Sequence, residues 1–434
     1  MTFLIAFRSL LQHKRRTMVL GSAIAFVTVV MLTLLGIAEG MNRTLIEQST
    51  TLMSGHVNVA GFFKVTAGQA APVVTNYRKV TEVIRETVPD LKYIAQRGRG
   101  WAKVISEGGT NKMFGLTGID VKSETGLASV LKIKEGKLED LAKPGTILLF
   151  EDQARDLEVK VGDGLTIQAP TPRGVNNTLD VTVVAIAANM GMMSQFSSFI
   201  NEGSLRQLYQ LNDDTTGALM VYMPTTDLQA LKKTQDKLRD ALAKAGYVMM
   251  DEDPRAFFFK FENVTREAWT GQKLDITNWR DEVNFVSWTV DLMNAMAFFL
   301  AFVFLSVVGI GIMIVMWISI RERTREIGTL RAIGMQRGNV LRMFLAEGFL
   351  LGVLSTSAGA VLGLVLSLVL NAVDISLPPG FQFILLSDHL FIVPTVAWTM
   401  VAVIFITTVI TLISLIPSFI AARLKPVTAM QHVG

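Results

Sequence analysis

The sequence contains no cysteine, so disulfides, thiol chemistry and cysteine-ligated metals are excluded. The few histidines lack the spacing of metal ligands: His13, His56, His389 and His432. Charged residues make up only 18% of the 434 residues, whereas 50% are hydrophobic. This balance is too apolar for an ordinary soluble protein and too polar for membrane spans alone. We therefore expect several transmembrane helices and one large water-facing domain.

Four apolar runs are long enough to cross a hydrocarbon core of about 30 Å. They predict transmembrane helices at residues 17–40, 292–320, 344–373 and 390–420. The first run is longer than the apolar part of a signal peptide and lacks a clear small-residue cleavage site. This favours a span that is retained in the mature protein.

Lysine and arginine cluster on one side of these spans, as in the segments 1–16, 321–343 and 421–434. The segment 374–389 carries neither residue. The positive-inside rule therefore places the basic segments in the cytoplasm, and residues 41–290 and 374–389 on the other side. The basic isoelectric point, about 9.2, arises from these cytoplasmic edges, so it does not indicate nucleic-acid binding.

Residues 41–290 show the patterns of a mixed α/β domain. Strand-like runs include "HVNVAGF", "TILLF" and "LDVTVVAIAA", and helical runs include "YRKVTEVIRETV" and "TDLQALKKTQDKLRDALAKAG". Strands and turns dominate residues 135–200. We predict a membrane protein of four transmembrane α-helices plus a large α/β extracytoplasmic domain with a β-rich insertion, between the first and second spans.

The stretch "RERTREIGTLRAIGMQRGNV", residues 321–340, combines Glu–Arg pairs with an apolar stripe of Ile327, Leu330 and Ile333. An amphipathic helix of this kind can dock into a groove on a cytoplasmic partner. A passive, solvated anchor for the positive-inside rule is the alternative, and the residues alone do not decide between them.

This stretch and its continuation "LRMFLAEGFLLGVLSTSAGAVLG" resemble the signature of FtsX-like permeases, the superfamily that includes the MacB-type exporters and the lipoprotein-releasing permeases. The ending "IPSFIAARLKPVTAMQHV" is also similar, with Met430 at a position where the family usually has Leu. The N-terminal "AFRSLLQHKRRTMVLGSAIAFV" looks most like the lipoprotein-releasing (LolC/LolE-type) branch. The resemblance covers almost the whole chain.

The resemblance implies that residues 321–343 form a cytoplasmic coupling helix that docks on an ABC ATPase. The implied contacts are Glu322, Arg323, Arg325, Glu326, Gly328, Arg331 and Gly334. The sequence shows no Gly-x-x-x-x-Gly-Lys-Ser/Thr loop, so we expect no cofactor in this chain, with ATP and Mg²⁺ bound by a separate ATPase partner. A second permease copy, or a homologous permease, is the other implied partner.

Small residues recur on the third span, where they allow helices to approach closely in lipid. The predicted packing residues are Gly352, Ser355, Gly359 and Gly363, and either packing within one chain or contact between copies would use them. Glu347 is an intramembrane polar residue near the cytoplasmic end. It either pairs with a basic side chain such as Arg342 or lies solvated at the interface.

Flexible Met and Phe side chains suit a surface that receives acyl chains, although such clusters are more often core. The candidate substrate contacts are Leu45, Leu52, Met190, Met192, Met193 and Phe196, and the run "FFFKF" at 257–261 is a further candidate. No catalytic triad, zinc site or carboxylate pair is legible, which predicts a non-catalytic membrane subunit with no metal site.

The favoured function is that of a permease in the bacterial inner membrane, with its large domain in the periplasm, that extracts lipoproteins or other lipid-bearing substrates by mechanotransmission. One alternative is a regulatory permease that transmits force to an extracytoplasmic enzyme. Another is a MacB-like exporter of peptides or drugs.

Overall fold

The computed structural model describes residues 2–12, 14–66, 68, 70–124, 126–190, 194, 197–322, 324–373 and 391–423. Internal contacts divide the chain into two compact units. One contains Met1–Met41, Val290–Ile375 and Leu390–Gly434, and is called the membrane unit below. The other contains Asn42–Thr289 and Ser376–His389, and is called the outer domain.

The helices, in chain order, are α1 (Thr2–Gln12), α2 (Lys14–Gln48), α3 (Tyr77–Thr87), α4 (Leu127–Val130), α5 (Glu151–Leu157), α6 (Glu202–Tyr209), α7 (Leu228–Lys244), α8 (Phe257–Arg266), α9 (Trp279–Glu282), α10 (Asn284–Glu322), α11 (Thr324–Ala332), α12 (Arg337–Val373) and α13 (Val396–Ala422). A π-helical turn, Ser49–Ser54, follows α2, and a 3-10 turn covers Leu138–Ala142.

The strands are β1 (Val57–Lys64), β2 (Ala70–Ala71), β3 (Val74–Thr75), β4 (Tyr93–Ser106), β5 (Asn111–Ile119), β6 (Ile133–Gly136), β7 (Thr146–Phe150), β8 (Gly164–Pro170), β9 (Asn176–Ala187), β10 (Ser197–Asn201), β11 (Thr215–Thr216), β12 (Ala218–Tyr222) and β13 (Gly271–Asn278).

The prediction of four spans and an α/β domain is confirmed. Four helical stretches are long and apolar enough to cross a membrane: Thr17–Thr44, Asp291–Glu322, Arg337–Val373 and Val396–Ala422. The fourth begins six residues after the predicted start at 390. The reason is local: Pro394 cannot donate a backbone hydrogen bond, and Thr395 caps the helix by accepting from the Trp398 amide at 3.3 Å.

The first helix was not predicted, since residues 1–16 were read only as a basic cytoplasmic segment. In α1, Ala6, Ser9 and Leu10 are buried, whereas Phe7 and Leu11 are exposed. Burial in α1 is thus one-sided, and the exposed side also carries apolar side chains. It packs against α12, and Thr17 at the start of the first span donates to the Leu10 carbonyl at 2.9 Å.

The outer domain is built on one mixed sheet with strand order β13-β1-β12-β4-β5-β10-β7-β9-β6. Strand β2 pairs with β1, and β8 bridges β4 and β9. Most neighbours are antiparallel, but β10 runs parallel to β5 and β7 parallel to β9. The predicted β-rich insertion therefore continues the sheet of the α/β part.

Separate apolar clusters fill the two ends of this sheet. Near β1, β12 and β13, helices α3 and α7 contribute Val80, Ile84 and Leu238 to a cluster that also holds Trp279. At the β-rich end, side chains of β4, β5, β7, β8 and β9 pack with α5 and α6. The alternation of buried and exposed residues along β8 and β9 is the period of a half-buried strand.

Candidate functional site

The arginine-rich segment between the second and third spans folds as the short helix α11 followed by a tight turn. Gly334 takes a φ of +109°, a left-handed conformation that favours glycine and ends the helix. Helix α12 then begins at Arg337. The predicted coupling helix at 321–343 is therefore shorter than expected, because the residues from Arg337 onward belong to the third span helix.

A small apolar cluster connects the base of this segment to three span helices. Ile320 of α10, Phe344 of α12 and Ala421 of α13 are all buried in it. Thr324 Oγ1 donates to the Ile320 carbonyl at 2.7 Å, which fixes the start of α11 to the end of α10. The start of α11 is thus hydrogen-bonded to a residue of this cluster, and Met335, in the turn after α11, packs against it.

Arg331 is half-buried and ties α11 to the end of the fourth span. Its Nη1 donates to the Ala422 carbonyl at 3.3 Å. The last carbonyls of a helix lack intrahelical donors and attract positive charge, so an arginine is favoured there. Arg331 was predicted as an ATPase contact, and this hydrogen bond gives it a positioning role within the chain itself.

The other predicted docking residues are distributed around α11. Glu322 is exposed at the end of α10, Gly328 is buried, and Gly334 is exposed in the turn. The remaining predicted contacts cannot be placed: Arg323 lies outside the described residues, and the side chains of Arg325 and Glu326 are not among those described.

Ile333 projects into solvent where α11 ends. It is 85% exposed, the largest exposed fraction of any large apolar side chain in the described part of the chain. The sequence had placed Ile333 on the apolar stripe of the docking helix. Ile333 is therefore available for contact with a partner.

The predicted packing residues of the third span lie between helices of the same chain. A Cβ on Gly359 would lie 2.7 Å from the Ala25 carbonyl oxygen of α2, and Gly363 faces Leu32. On the opposite side, Gly352 faces Thr407 of α13. Ser355 is also buried, and its hydroxyl lies 3.1 Å from the position of a Cβ on Gly21.

Glu347 is buried within the membrane unit, whereas Arg342, the suggested partner, is exposed. Glu347 borders a cavity of about 20 Å³ with Leu10 of α1, Leu20 of α2 and Met316 of α10. This volume suits about one water molecule. The carboxylate therefore lies where α1 meets the spans.

Two of the predicted substrate contacts are core residues. Leu52 and Met190 are buried in the same apolar cluster of the outer domain. Neither side chain is available to a ligand in this conformation. The others cannot be placed: the Leu45 side chain is not described, and Met192, Met193 and Phe196 lie outside the described residues.

The run "FFFKF" forms the start of α8. One of its phenylalanine rings is buried, and the other three are exposed. Phe257 is buried and stacks on Phe62, with ring centroids 4.4 Å apart. Phe258, Phe259 and Phe261 are all exposed. Contiguous exposed rings on a water-facing domain indicate a binding surface more often than isolated ones do.

A buried arginine that the sequence analysis missed holds the end of α2 to the sheet. Arg97 of β4 is fully buried and pairs with Glu124 at 2.6 Å. Its guanidinium also donates to the carbonyls of Thr51 and Leu52 in the π-helical turn. Tyr222 adds a hydrogen bond to the Thr50 carbonyl at 3.0 Å. We call this the arginine clasp.

A second polar network holds the start of α10. Glu282, almost fully buried, accepts from Thr277 at 2.5 Å and from Asn58 at 3.3 Å. It also accepts from the backbone amide of Phe257 at 3.3 Å, which links α10 to the aromatic helix α8. The π-helical turn after α2 and the short helix α9 before α10 are therefore both held within the outer domain by buried hydrogen bonds.

Burial lowers the pKa of one histidine in the outer domain and raises the pKa of one glutamate there. Burial and the nearby Lys92 charge lower the pKa of His56 to about 4, and its Nδ1 accepts from the Met223 amide at 3.1 Å. Burial raises the pKa of Glu202 to about 7, although Arg206 lies 2.7 Å away and opposes the shift.

The comparison with protein families identifies the membrane unit. Residues 298–426, which contain α11, α12 and α13, match the family described as FtsX-like permease C-terminal. The macrolide export ATP-binding/permease protein MacB of Mannheimia succiniciproducens is 33% identical over 145 residues, which is 33% of this chain and 20% of MacB. Residues 298–426 are therefore similar to the C-terminal part of FtsX-like permeases.

Two other relatives of this chain carry similar names. MacB of Neisseria meningitidis is 42% identical over 83 residues, covering 19% of this chain and 13% of that protein. The pyoverdine export ATP-binding/permease protein PvdT of Pseudomonas savastanoi pv. phaseolicola is 34% identical over 161 residues, covering 37% of this chain and 22% of PvdT. The aligned part of this chain covers between 13% and 22% of the length of these relatives.

Two solved structures are similar to part of the permease at 12% identity. One is the extracellular domain of the noncanonic ABC-type transporter YknZ from Gram-positive bacteria, covering 50% of this chain and 98% of that one, with a TM-score of 0.29. The other is the periplasmic region of MacB from Actinobacillus actinomycetemcomitans, covering 42% and 83%, also with a TM-score of 0.29.

Proposed function

We propose that this permease couples ATP hydrolysis by a cytoplasmic ABC ATPase to movement of its outer domain, in the bacterial inner membrane. The observation that carries the proposal is α11, which is hydrogen-bonded to the ends of α10 and α13 and is followed by the exposed Ile333. ATP and Mg²⁺ would be bound by the ATPase, and a second permease copy or homologous permease would complete the assembly.

The connections into the outer domain support a mechanical role. The π-helical turn after α2 is held by Arg97, and the start of α10 is held by Glu282. Buried, charge-assisted hydrogen bonds resist deformation better than exposed loops do. A tilt of either span helix would therefore move the sheet as a body.

We propose lipoproteins of the inner membrane, lifted for transfer towards the outer membrane, as the cargo. The exposed rings of Phe258, Phe259 and Phe261 would shelter acyl chains outside the bilayer, replacing the buried Leu52 and Met190 in that role. The names of the relatives favour a second candidate, export of small molecules such as macrolides or pyoverdine. A permease that only transmits force to an extracytoplasmic enzyme is a third.

Docking is tested with Ile333→Ala in the full-length permease, measuring its affinity for the ATPase that co-purifies with the unmodified chain. Truncating a central apolar anchor should weaken binding by about tenfold or more. Met113→Ala is the matched control, because Met113 is an exposed apolar side chain of the outer domain. Equal binding by all three proteins would disprove docking through Ile333.

The cargo is tested by mass spectrometry of the proteins and lipids that co-purify with and without a non-hydrolysable ATP analogue. Acylated proteins that are lost on nucleotide binding support lipoprotein extraction. Small molecules with a periplasmic adaptor would support export, and a cell-wall hydrolase without acylated cargo would support force transmission.

A further inference from the structure

A cavity of about 300 Å³ lies in the membrane unit between the third and fourth span helices. Its walls come from Leu32 of α2, from the small-residue face of α12, and from the first turns of α13. The α12 wall is formed mainly by Ala360, Gly363 and Ser367, whose short side chains leave the space between the helices unfilled.

The delayed start of α13 positions this cavity at the outer end of the spans. Val393, in the non-helical segment before α13, donates its amide to the Gly36 carbonyl of α2 at 2.9 Å. Ile392 exchanges two hydrogen bonds with the Asn371 side chain of α12, at 2.8 and 2.9 Å. These bonds satisfy backbone that would otherwise be unpaired in lipid. They also place Pro394 and Thr395 at the border of the cavity.

The wall of the cavity is apolar, although three of its residues carry hydroxyl groups. Ser367 Oγ donates to the Gly363 carbonyl and Thr399 Oγ1 to the Thr395 carbonyl, both at 2.8 Å. Thr395 Oγ1 caps the Trp398 amide. Since these hydroxyls are satisfied by their own helices, a polar ligand would find little to bind, and water would be unfavourable here.

The mouth of the cavity faces the surroundings of the spans. Val361, Leu364, Val396 and Met400 border it and are exposed in this chain. In a membrane protein the medium at such a surface is lipid, and flexible Met adapts to chains of varied shape. The dry, apolar cavity therefore opens towards the lipid of the bilayer.

We propose that this cavity is a binding site for one acyl chain of an outer-leaflet phospholipid. The chain is retained because it supplies contact atoms to walls that otherwise have none, since no hydrophobic force distinguishes protein from lipid tails. The site stands apart from the proposed cargo surface on α8, and its existence does not depend on what the permease transports.

The first test fills the cavity. Ala360→Phe in the full-length permease should lose about one retained phospholipid per chain in native mass spectrometry after detergent washing, since a volume near 300 Å³ suits one small ligand. Leu368→Phe is the control, because Leu368 is exposed on the same helix and does not line the cavity. Thr399→Phe fills the space from the opposite wall and should give the same loss. Equal lipid retention by both filling variants and the control would overturn the proposal.

The second test labels the occupant with phosphatidylethanolamine that carries a diazirine in its acyl chain, in vesicles of that lipid alone. Labelling concentrated on the cavity wall rather than on Leu368 is the expected result. Even labelling would show annular lipid only and refute the site. Displacement of all label by a triacylated lipopeptide, with no phospholipid bound in native preparations, would assign the cavity to cargo and overturn the phospholipid assignment.

A second copy of the chain is the competing occupant. Because the sequence has no cysteine, Val361→Cys gives a single thiol at the mouth. Efficient disulfide formation between two copies, with no lipid label, would show that another permease covers the cavity. Accessibility of this thiol to a lipid-soluble maleimide, without dimer formation, agrees with an acyl chain at the mouth.

Discussion

Replacing Arg97 by lysine should loosen the π-helical turn that connects the first span helix to the sheet. The guanidinium makes two hydrogen bonds to Glu124, at 2.6 and 2.9 Å, and also donates to the carbonyls of Thr51 and Leu52. A lysine ammonium is a compact point charge on a flexible stem, so it cannot satisfy all these acceptors in one geometry.

The magnitude follows from the bonds that are lost. A hydrogen bond to a charged group contributes roughly 1.5–3 kcal/mol, and part of the loss is recovered because lysine keeps the charge beside Glu124. We expect the free energy of opening of the turn to fall by about 2–4 kcal/mol. Hydrogen exchange of its amides should then be faster by about 30- to 700-fold, since each 1.4 kcal/mol is a factor of ten.

The assay is hydrogen–deuterium exchange of the full-length permease in a bilayer mimic, followed on a peptide that covers residues 49–56. Lys260→Met is the matched control because Lys260 forms another buried pair, with Asp275 at 2.8 Å, elsewhere in the outer domain. The control should lower overall stability without a selective effect on this peptide. Unchanged exchange of residues 49–56 in Arg97→Lys would refute the arginine clasp.

Two further predictions concern pH and packing. In the folded protein the pKa of His56 is about 4, against its ordinary value of 6.5. The stability that neutral His56 contributes is therefore present above pH 6.5 and is lost as pH falls towards 4. His56→Gln should remove this loss in denaturant unfolding curves. Glu202 acts in the opposite direction: because its pKa is about 7, the stability that its protonated form contributes is lost as pH rises from 4.5 through 7. Glu202→Gln is the reciprocal control. Gly359→Ala should destabilise the membrane unit by about 1–3 kcal/mol, because the new Cβ would lie 2.7 Å from the Ala25 carbonyl oxygen. Gly311→Ala, with nothing within 4 Å of its new Cβ, should be neutral or stabilising, and equal thermal unfolding of the two variants would contradict the packing.

Local patterns were sufficient for much of this architecture. Apolar length predicted four spans, whereas the orientation predicted from Lys and Arg stays a prediction. Alternating or apolar runs predicted β1, β7 and β9, and capping residues predicted α7, which Asp227 caps by accepting from the Ala230 amide at 2.9 Å. These features depend on residues close together in the chain, so a sequence pattern carries them directly.

The sequence predicted the coupling segment but not the residue at which its short helix ends. The φ of +109° at Gly334, which separates α11 from α12, is seen only in the structure. The role of Arg331 was not visible, because its partner is the Ala422 carbonyl at the end of a helix far along the chain. The arginines of this segment carry the same charge, and only the tertiary structure shows that Arg331 is hydrogen-bonded to the end of α13.

By itself, the sequence predicted four apolar spans, a mixed α/β domain and a basic segment between the second and third spans. Tertiary structure alone decided which apolar side chains are available, since Met190 is buried while Ile333 and Phe258 are exposed. It also decided where small residues leave a void and where Arg97 finds its carbonyl acceptors. The physical reason is that hydropathy and periodicity are summed over neighbours in the chain, whereas burial, cavities and hydrogen-bond partners depend on residues brought together from distant positions.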